Sequence, residues 1–356
     1  MLTDVCPLSE ARSALDGEQP YSRAAWLGLA ELGFQGVTIP EAYGGLGLGE
    51  LELCVAAEEI GRALAPVPSL SSVYICAEAI RLLGSEDQKR RWLPGLANGS
   101  VIGTWAAAER TGEVLPGAIA TSFADGAVFG EKAPVLDGLA ADVCVVLAKG
   151  AGGASDLAIC DLTGPGVRRE RVDSIDPSRP LARVEFDGAD AERLGVAGEG
   201  WSAYESLLNR AAVLLSFEQV GAAERALWMA RDYALQRHAF GRPIGANQAI
   251  KHKLANMFVK NELARVHAYY GAWALSTGSA ELPLAAAGAR VAAIEASSFS
   301  AQENLQTHGG IGFTWECDCQ LFYRRARLLA TVVGGNQVWK DQLVSALEQN
   351  NEQGRA

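Results

Sequence analysis

The feature that most limits what this chain can fold into is a hydrophobic period that changes twice along its length. Up to about residue 100, apolar residues recur at three- and four-residue steps over Ala24 to Leu32, Leu51 to Leu64 and Ser71 to Leu83, with breaks at Pro40 to Gly45 and Ala65 to Pro68. That is the repeat of helices burying one face. From 101 to about 198 it shortens to β-rich runs: Gly117 to Phe123, Gly126 to Phe129, Val143 to Ala148, Leu157 to Cys160 and Ala182 to Phe186. After Gly198-Glu199-Gly200 the helical repeat returns in four segments, near 200–238, 245–277, 281–307 and 315–348. In the second, Ile250, Leu254, Met257 and Phe258 read as one apolar face, with Lys251, Lys253 and Lys260 off it. The expected architecture is mainly α with a middle β domain: an N-terminal helical domain (1–100), an antiparallel β domain (101–198) and a C-terminal four-helix bundle (199–356). Asp125-Gly126 and Asp187-Gly188 are placed at hairpin turns or strand ends, and Glu348 to Ala356 is read as a frayed tail.

A chain of 356 residues suffices for two or three cores. No apolar run approaches the roughly 20 residues of a membrane span. The opening MLTDVCPLSEARS lacks the basic segment and apolar core of a leader, which makes the cytoplasm the expected location. A net charge of −11 argues against nucleic acid and against an anionic membrane as partners, because neither meets a favourable long-range field. Seven scattered cysteines suit reduced thiols. Cys317-Asp318-Cys319 has no second Cys or His pair beside it in sequence, so these are read as ordinary helix residues and no metal is expected.

Several motifs carry chemistry. Gly33-Phe34-Gln35-Gly36-Val37-Thr38-Ile39-Pro40-Glu41-Ala42-Tyr43-Gly44-Gly45-Leu46-Gly47 and Gln88-Lys89-Arg90-Arg91-Trp92-Leu93-Pro94 lie in the first third. Arg237-His238-Ala239-Phe240-Gly241-Arg242-Pro243-Ile244, then Gln248, then Gln306-Thr307-His308-Gly309-Gly310-Ile311-Gly312-Phe313 lie in the last. Arg237 offers a permanent charge in a planar fork suited to phosphate. Gly309 and Gly310 let backbone amides approach a pyrophosphate, Phe240 can cover an apolar ring, and Gln248 and Gln306 supply donors and acceptors. In this order and spacing the motifs resemble those of acyl-CoA dehydrogenases along nearly the whole chain. The resemblance implies FAD as cofactor, with Arg237, Phe240, Gln248, Gln306, Gly309 and Gly310 reaching the pyrophosphate and adenosine end of a flavin held mainly by a neighbouring subunit.

The chain also departs from that pattern. The resemblance implies a carboxylate that removes the α proton of an acyl-CoA thioester. The expected Glu position, in the last helix before a Gly-Thr pair, holds Val333, and the alternative position falls on Asn209 or, counted back from Arg237, on Ala211. Near the flavin ring, Ala108 replaces a Thr, while Pro134 and Leu136 stand where an aromatic and a hydroxyl residue are expected. Pieces serving a neighbour's flavin are kept and the chain's own cradle is lost. The leading expectation is therefore the non-catalytic subunit of a heteromeric, α2β2 acyl-CoA dehydrogenase, paired with a homologous catalytic subunit that binds most of the acyl-CoA, which the resemblance to this branch implies is bulky and steroid-derived. Alternatives are a self-sufficient dehydrogenase with a displaced base at Glu218, Glu224 or Glu316, a flavin monooxygenase using His308, and a flavin-free structural paralogue. Tyr323-Arg324-Arg325-Ala326-Arg327 reads as a basic patch facing CoA phosphates or an interface, and Trp339 as core or interface.

Overall fold

A computed structural model describes residues 6–17 and 19–353. The first hundred residues carry helices α1 (Leu8–Asp16), α2 (Arg23–Glu31), α3 (Glu50–Ala63), α4 (Glu78–Leu83) and α5 (Glu86–Ala97). Ser22 caps α2, its hydroxyl accepting the Ala25 N–H, and Ser85 with Gln88 forms a reciprocal capping box on α5. The helix expected over 71–83 begins instead as a buried π-helix, Ser69–Ala77, which passes into α4. Every residue of this segment is buried, its three serines included, so no exposed face sets a period and the pattern does not report its winding. Helix α5 was missed because its first turns are charged and Pro94 lies within it.

The middle of the chain forms one sheet of β1 (Gly103–Ala106), β2 (Ser122–Ala124), β3 (Ala127–Leu136), β4 (Val143–Lys149), β5 (Ser155–Asp161), β6 (Val167–Val172) and β7 (Leu181–Leu194). The pairings β4–β5, β5–β7, β7–β3, β3–β2 and β2–β4 return to their starting strand, with β1 beside β4 and β6 beside β7. Pairing is antiparallel except β1–β4 and the single Ser122–Lys149 step of β2–β4, which are parallel. Asp125 and Gly126 both take positive φ (50° and 76°) and close the two-residue β2–β3 hairpin. Asp187-Gly188 is not a turn. It sits within β7, where the register against β3 shifts between Val128 and Phe129. The run Gly117 to Phe123 is largely a 3-10 turn and coil, and only Ser122 onward pairs. Strand β6 reads Val-Arg-Arg-Glu-Arg-Val, the charged sequence of a strand at a sheet edge, which conceals it from an apolar pattern search. Buried Arg179 donates to Asp137 at 3.1 and 2.8 Å, and Ser71 donates to the same carboxylate at 2.6 Å, tying the π-helix to the sheet.

The last part contains α6 (Gly200–Gln236), a short hairpin of β8 (His238–Ala239) and β9 (Arg242–Pro243), α7 (Gln248–Ser276), α8 (Leu282–His308), α9 (Cys319–Leu329) and α10 (Asn336–Gln353). The fourth expected segment is thus two helices, not one. Val333 (φ 51°) and Gly334 (φ 99°) leave the helical region between them, and the buried Trp339 ring donates to the Val333 carbonyl at 3.0 Å. Helix α10 continues through the expected frayed tail to Gln353, while 354–356 lie outside the described residues.

Compactness groups the chain into two units, each discontinuous in sequence, whereas the reading along the chain gave three consecutive domains. One unit is Ser13–Leu53 with Pro66–Ala211; the other comprises residues up to Arg12, Cys54–Ala65 and everything from Ala212. Within the second, α3 and α6 pack through a mutual pair of glycines. A Cβ on Gly61 would fall 1.7 Å from the Glu218 carbonyl oxygen, and one on Gly221 would fall 1.9 Å from that of Glu58. Only backbones without side chains approach this closely. The same unit buries Arg290 completely, bonded to Gln219 and to the Leu329 carbonyl, and burial brings its pKa down to about 9.

Candidate functional site

The motif residues after 236 gather at one end of the helical unit. Arg237 follows α6 directly and is exposed, its amide still bonded to the Tyr233 carbonyl at 2.8 Å. The β8–β9 hairpin turns at Phe240 (φ 53°) and Gly241 (φ 77°), leaving the Phe240 ring fully exposed on a left-handed backbone. Strain of this kind, about 1–3 kcal/mol, concentrates at functional positions. Gln248 opens α7, and Gln306 lies in the last turn of α8; both are exposed. Gly309 has φ 64° and ψ −140°, a conformation open essentially to glycine alone, and a Cβ on either Gly309 or Gly310 would touch nothing within 4 Å. Two contacts hold the hairpin side against the end of α8: Tyr233 stacks on His308 with centroids 4.1 Å apart, and Lys253 pairs with Glu303 at 2.7 Å. Among the described residues, Arg237, Gln248 and Gln306 make no side-chain hydrogen bond or ion pair. This end therefore offers a guanidinium, two amides, a bare aromatic face and open glycine backbone to a ligand.

The carboxylate positions are different. Val333 lies not in a helix but in the α9–α10 turn, with its side chain buried. Ala211 is fully buried, and Asn209 precedes Arg210, whose guanidinium is taken by Glu50 at 2.6 Å and Glu78 at 3.1 Å. Among the substitute bases, Glu218 is buried with Arg325 4.0 Å away. Glu224 is held by Arg62 and by Arg265 at 3.0 Å; burial opposes its ionisation, but those cations outweigh it and its pKa is lowered. Glu316 lies on the surface. His308 is half buried under Tyr233, its Nδ1 2.9 Å from the Asn304 carbonyl, and burial lowers its pKa.

In the other unit, Ala108 stands beside a cleft of about 410 Å³ lined by Ala107, Glu109, Arg110, Glu113 and Leu115 among others. Among the described residues, no hydroxyl side chain lines it. Glu109 accepts the amides of Ala120 and Thr121, each at 2.8 Å, and the ammonium of the wholly buried Lys132, also at 2.8 Å. Burial raises the Glu109 pKa, but Lys132 and the two amides prevail and hold it to about 2. Pro134, after a cis peptide bond, and buried Leu136 continue β3.

Two readings of the C-terminal region change, and a third, Trp339 as core or interface, resolves to one of its alternatives. The basic run 323–327 is not a patch: Arg325 is buried and donates to the Ala65 carbonyl, Arg327 donates to Tyr323, and Arg324 bonds Gln320 and lies over the Trp315 ring. Cys317 precedes α9 and only Cys319 is helical, and the chain's return brings His308 beside both sulfurs, which sequence spacing did not show. Trp339 is core.

A further surface escaped the reading of α7. Its buried positions are mostly small: Ala264, Ala268, Gly271, Ala272 and Ala274 beside Met257 and Leu275. Val259, Leu263, Val266, Tyr270 and Trp273 recur at steps of four and three along the exposed side. Phe258, expected on the inner face, is about half exposed. The signal was the spacing itself, since large apolar residues at such steps are taken as a core face unless a second face of small residues competes for it.

Helices, a mixed sheet and a terminal group of long helices follow one another along the chain, and comparison with known proteins gives the family that this order belongs to. The Acyl-CoA dehydrogenase N-terminal domain matches residues 7–100 and the Acyl-CoA dehydrogenase C-terminal domain residues 198–347. The chain is 34% identical to acyl-CoA dehydrogenase IpdE2 of Mycobacterium tuberculosis over 88% of its own length and 84% of the relative's. Among solved structures it is similar to the Tcur3481-Tcur3483 steroid ACAD variant (TM-score 0.89, 30% identity, 99% of this chain and 95% of that one). It is also similar to the ChsE4-ChsE5 complex of Mycobacterium tuberculosis (TM-score 0.86, 25% identity, 98% and 94%). The chain belongs to the acyl-CoA dehydrogenase family.

Proposed function

We propose that this chain is the non-catalytic subunit of a heteromeric, FAD-dependent acyl-CoA dehydrogenase, α2β2 in composition, acting in the cytoplasm on bulky CoA thioesters such as steroid-derived ones. The observation that carries the reading is a contrast: buried, apolar Val333 stands where the family's base is expected, while Arg237, Gln248 and Gln306 present polar groups that no described residue satisfies. Likeness to the steroid ACAD and to ChsE4-ChsE5 supports both the substrate class and the heteromeric assembly.

The residues fit one end of FAD and not the other. Arg237 would hold the pyrophosphate charge, the Gly309 and Gly310 amides would donate to its oxygens, Phe240 would cover the adenosine side, and Gln248 and Gln306 would complete the hydrogen bonds. The cleft at Ala108 lacks the hydroxyl that would bond the ring, and Glu109 there is committed to Lys132. FAD supplies the hydride acceptor when bound, and the proton is taken by the partner, which also binds most of the acyl-CoA. The outward stripe on α7 is the surface this chain would bury against another subunit, because large apolar groups in such a row are rarely left in water. On this reading residues 1–100, 101–198 and 199–356 act as three functional domains.

The test is expression alone and together with the homologous product of a neighbouring gene, followed by mass determination and flavin count. The isolated chain should be colourless and the co-assembly yellow. Arg237→Ala within the co-assembly should weaken flavin retention roughly ten- to a hundredfold, the equivalent of about 1.5–3 kcal/mol for charge-assisted bonds. A yellow isolated chain that reduces its own flavin with an acyl-CoA would refute the assignment.

A further inference from the structure

One cluster of metal-ligating side chains has no part in the flavin reading. His308 ends α8, Cys319 opens α9 and Cys317 lies just before it, yet one ligand atom from each comes within 4.8 Å of the others. The two sulfurs are 3.3 Å apart, and the Met229 thioether lies 3.7 Å from Cys319 Sγ. A tetrahedral site with metal–sulfur bonds of about 2.3 Å has sulfur–sulfur edges of roughly 3.8 Å, so the two sulfurs would open by about half an ångström to share one ion.

The groups are also held in place. Tyr233 stacks on the His308 ring, and Nδ1 lies 2.9 Å from the Asn304 carbonyl, so a backbone oxygen orients the imidazole as outer partners of metal-bound histidines do. Asp318, between the cysteines, is bonded to Arg12 at 3.0 and 2.5 Å and does not join the set. Arg12 also donates to the Trp315 and Glu316 carbonyls, which fastens the loop that carries Cys317. The donors are two thiols and an imidazole with a thioether at the margin and no carboxylate, a combination that selects soft ions over calcium or magnesium.

We propose that His308, Cys317 and Cys319 form a site for one thiophilic d10 ion, zinc or cuprous, with Met229 or water completing its coordination. Binding joins the start and end of the loop Gly309 to Glu316. Each thiol loses its proton to solvent on ligation, so two protons leave per ion and no oxidation state changes.

The chain, reduced and stripped with chelator, is titrated with cobalt(II) as an optical probe and then with zinc. One equivalent of cobalt should raise a near-ultraviolet thiolate charge-transfer band that zinc abolishes, and zinc should protect the 309–316 loop from proteolysis. Cys317→Ser should weaken binding at least tenfold, and the Cys317→Ser/Cys319→Ser pair should remove the band, with circular dichroism verifying that both stay folded. Absence of a band in the wild-type chain, or a band that survives loss of both cysteines, would overturn the site. The wild-type titration decides the matter even if the variants do not fold.

Discussion

Lys132 and Glu109 show how much one side chain can carry. The Lys132 ammonium is wholly buried, and burial pushes its pKa down; it stays charged through Glu109, with the Ala107 carbonyl as a second acceptor at 3.0 Å. Removing the carboxylate leaves a cation in an apolar setting. Glu109→Gln should therefore destabilise the protein at neutral pH by about 2–3 kcal/mol, toward the low end for a broken buried pair because Glu109 is partly exposed. The pH dependence has a definite sign: a folded-state pKa of about 2, below the ordinary 4.5, means stabilisation that is full above pH 4.5 and lost as pH falls toward 2. Thermal melts of wild type and Glu109→Gln should converge across that window, and parallel curves would show that the pair does not act this way. Neither partner stood out in sequence, since the two lie 23 residues apart and no motif joins them.

Elements meet at close range where α3 crosses α6. Gly61 and Gly221 face each other's helix so tightly that a single methyl group would overlap backbone oxygen. Backbone cannot yield as the end of a flexible side chain can, so Gly61→Ala or Gly221→Ala should cost at least the 1–3 kcal/mol typical of overpacking, about 3 kcal/mol or more here. Denaturant titration is the check, and a variant as stable as wild type would mean the helices can separate freely. In an exposed helix the same change would stabilise by about 0.5–1 kcal/mol, so the sign distinguishes crossing from solvent. Helix α7 makes a related point: its inner face was misread because alanine and glycine mark the tight side and the large residues point outward.

Assembly is the property of the whole molecule that this outward row predicts. Leu263→Glu with Val266→Glu should leave the chain folded by circular dichroism, because both side chains are more than half exposed, yet reduce the mass of the co-assembly in size-exclusion chromatography with light scattering. An unchanged mass would place the subunit contact elsewhere.

Fold order and family were readable from the chain because they depend on local period and on motif spacing: helical repeats, short β runs and the 237–248 and 306–313 motifs all lie within contiguous stretches. The absence of a carboxylate at 333 was equally plain. What only the tertiary structure decided depends on residues far apart in sequence. It turned Arg325 inward, engaged Glu218 and Glu224 with arginines, set Lys132 on Glu109, and brought His308 to the sulfurs of Cys317 and Cys319. Charges and ligands take their meaning from neighbours in space, and a one-dimensional pattern does not contain the distances that fix those neighbours.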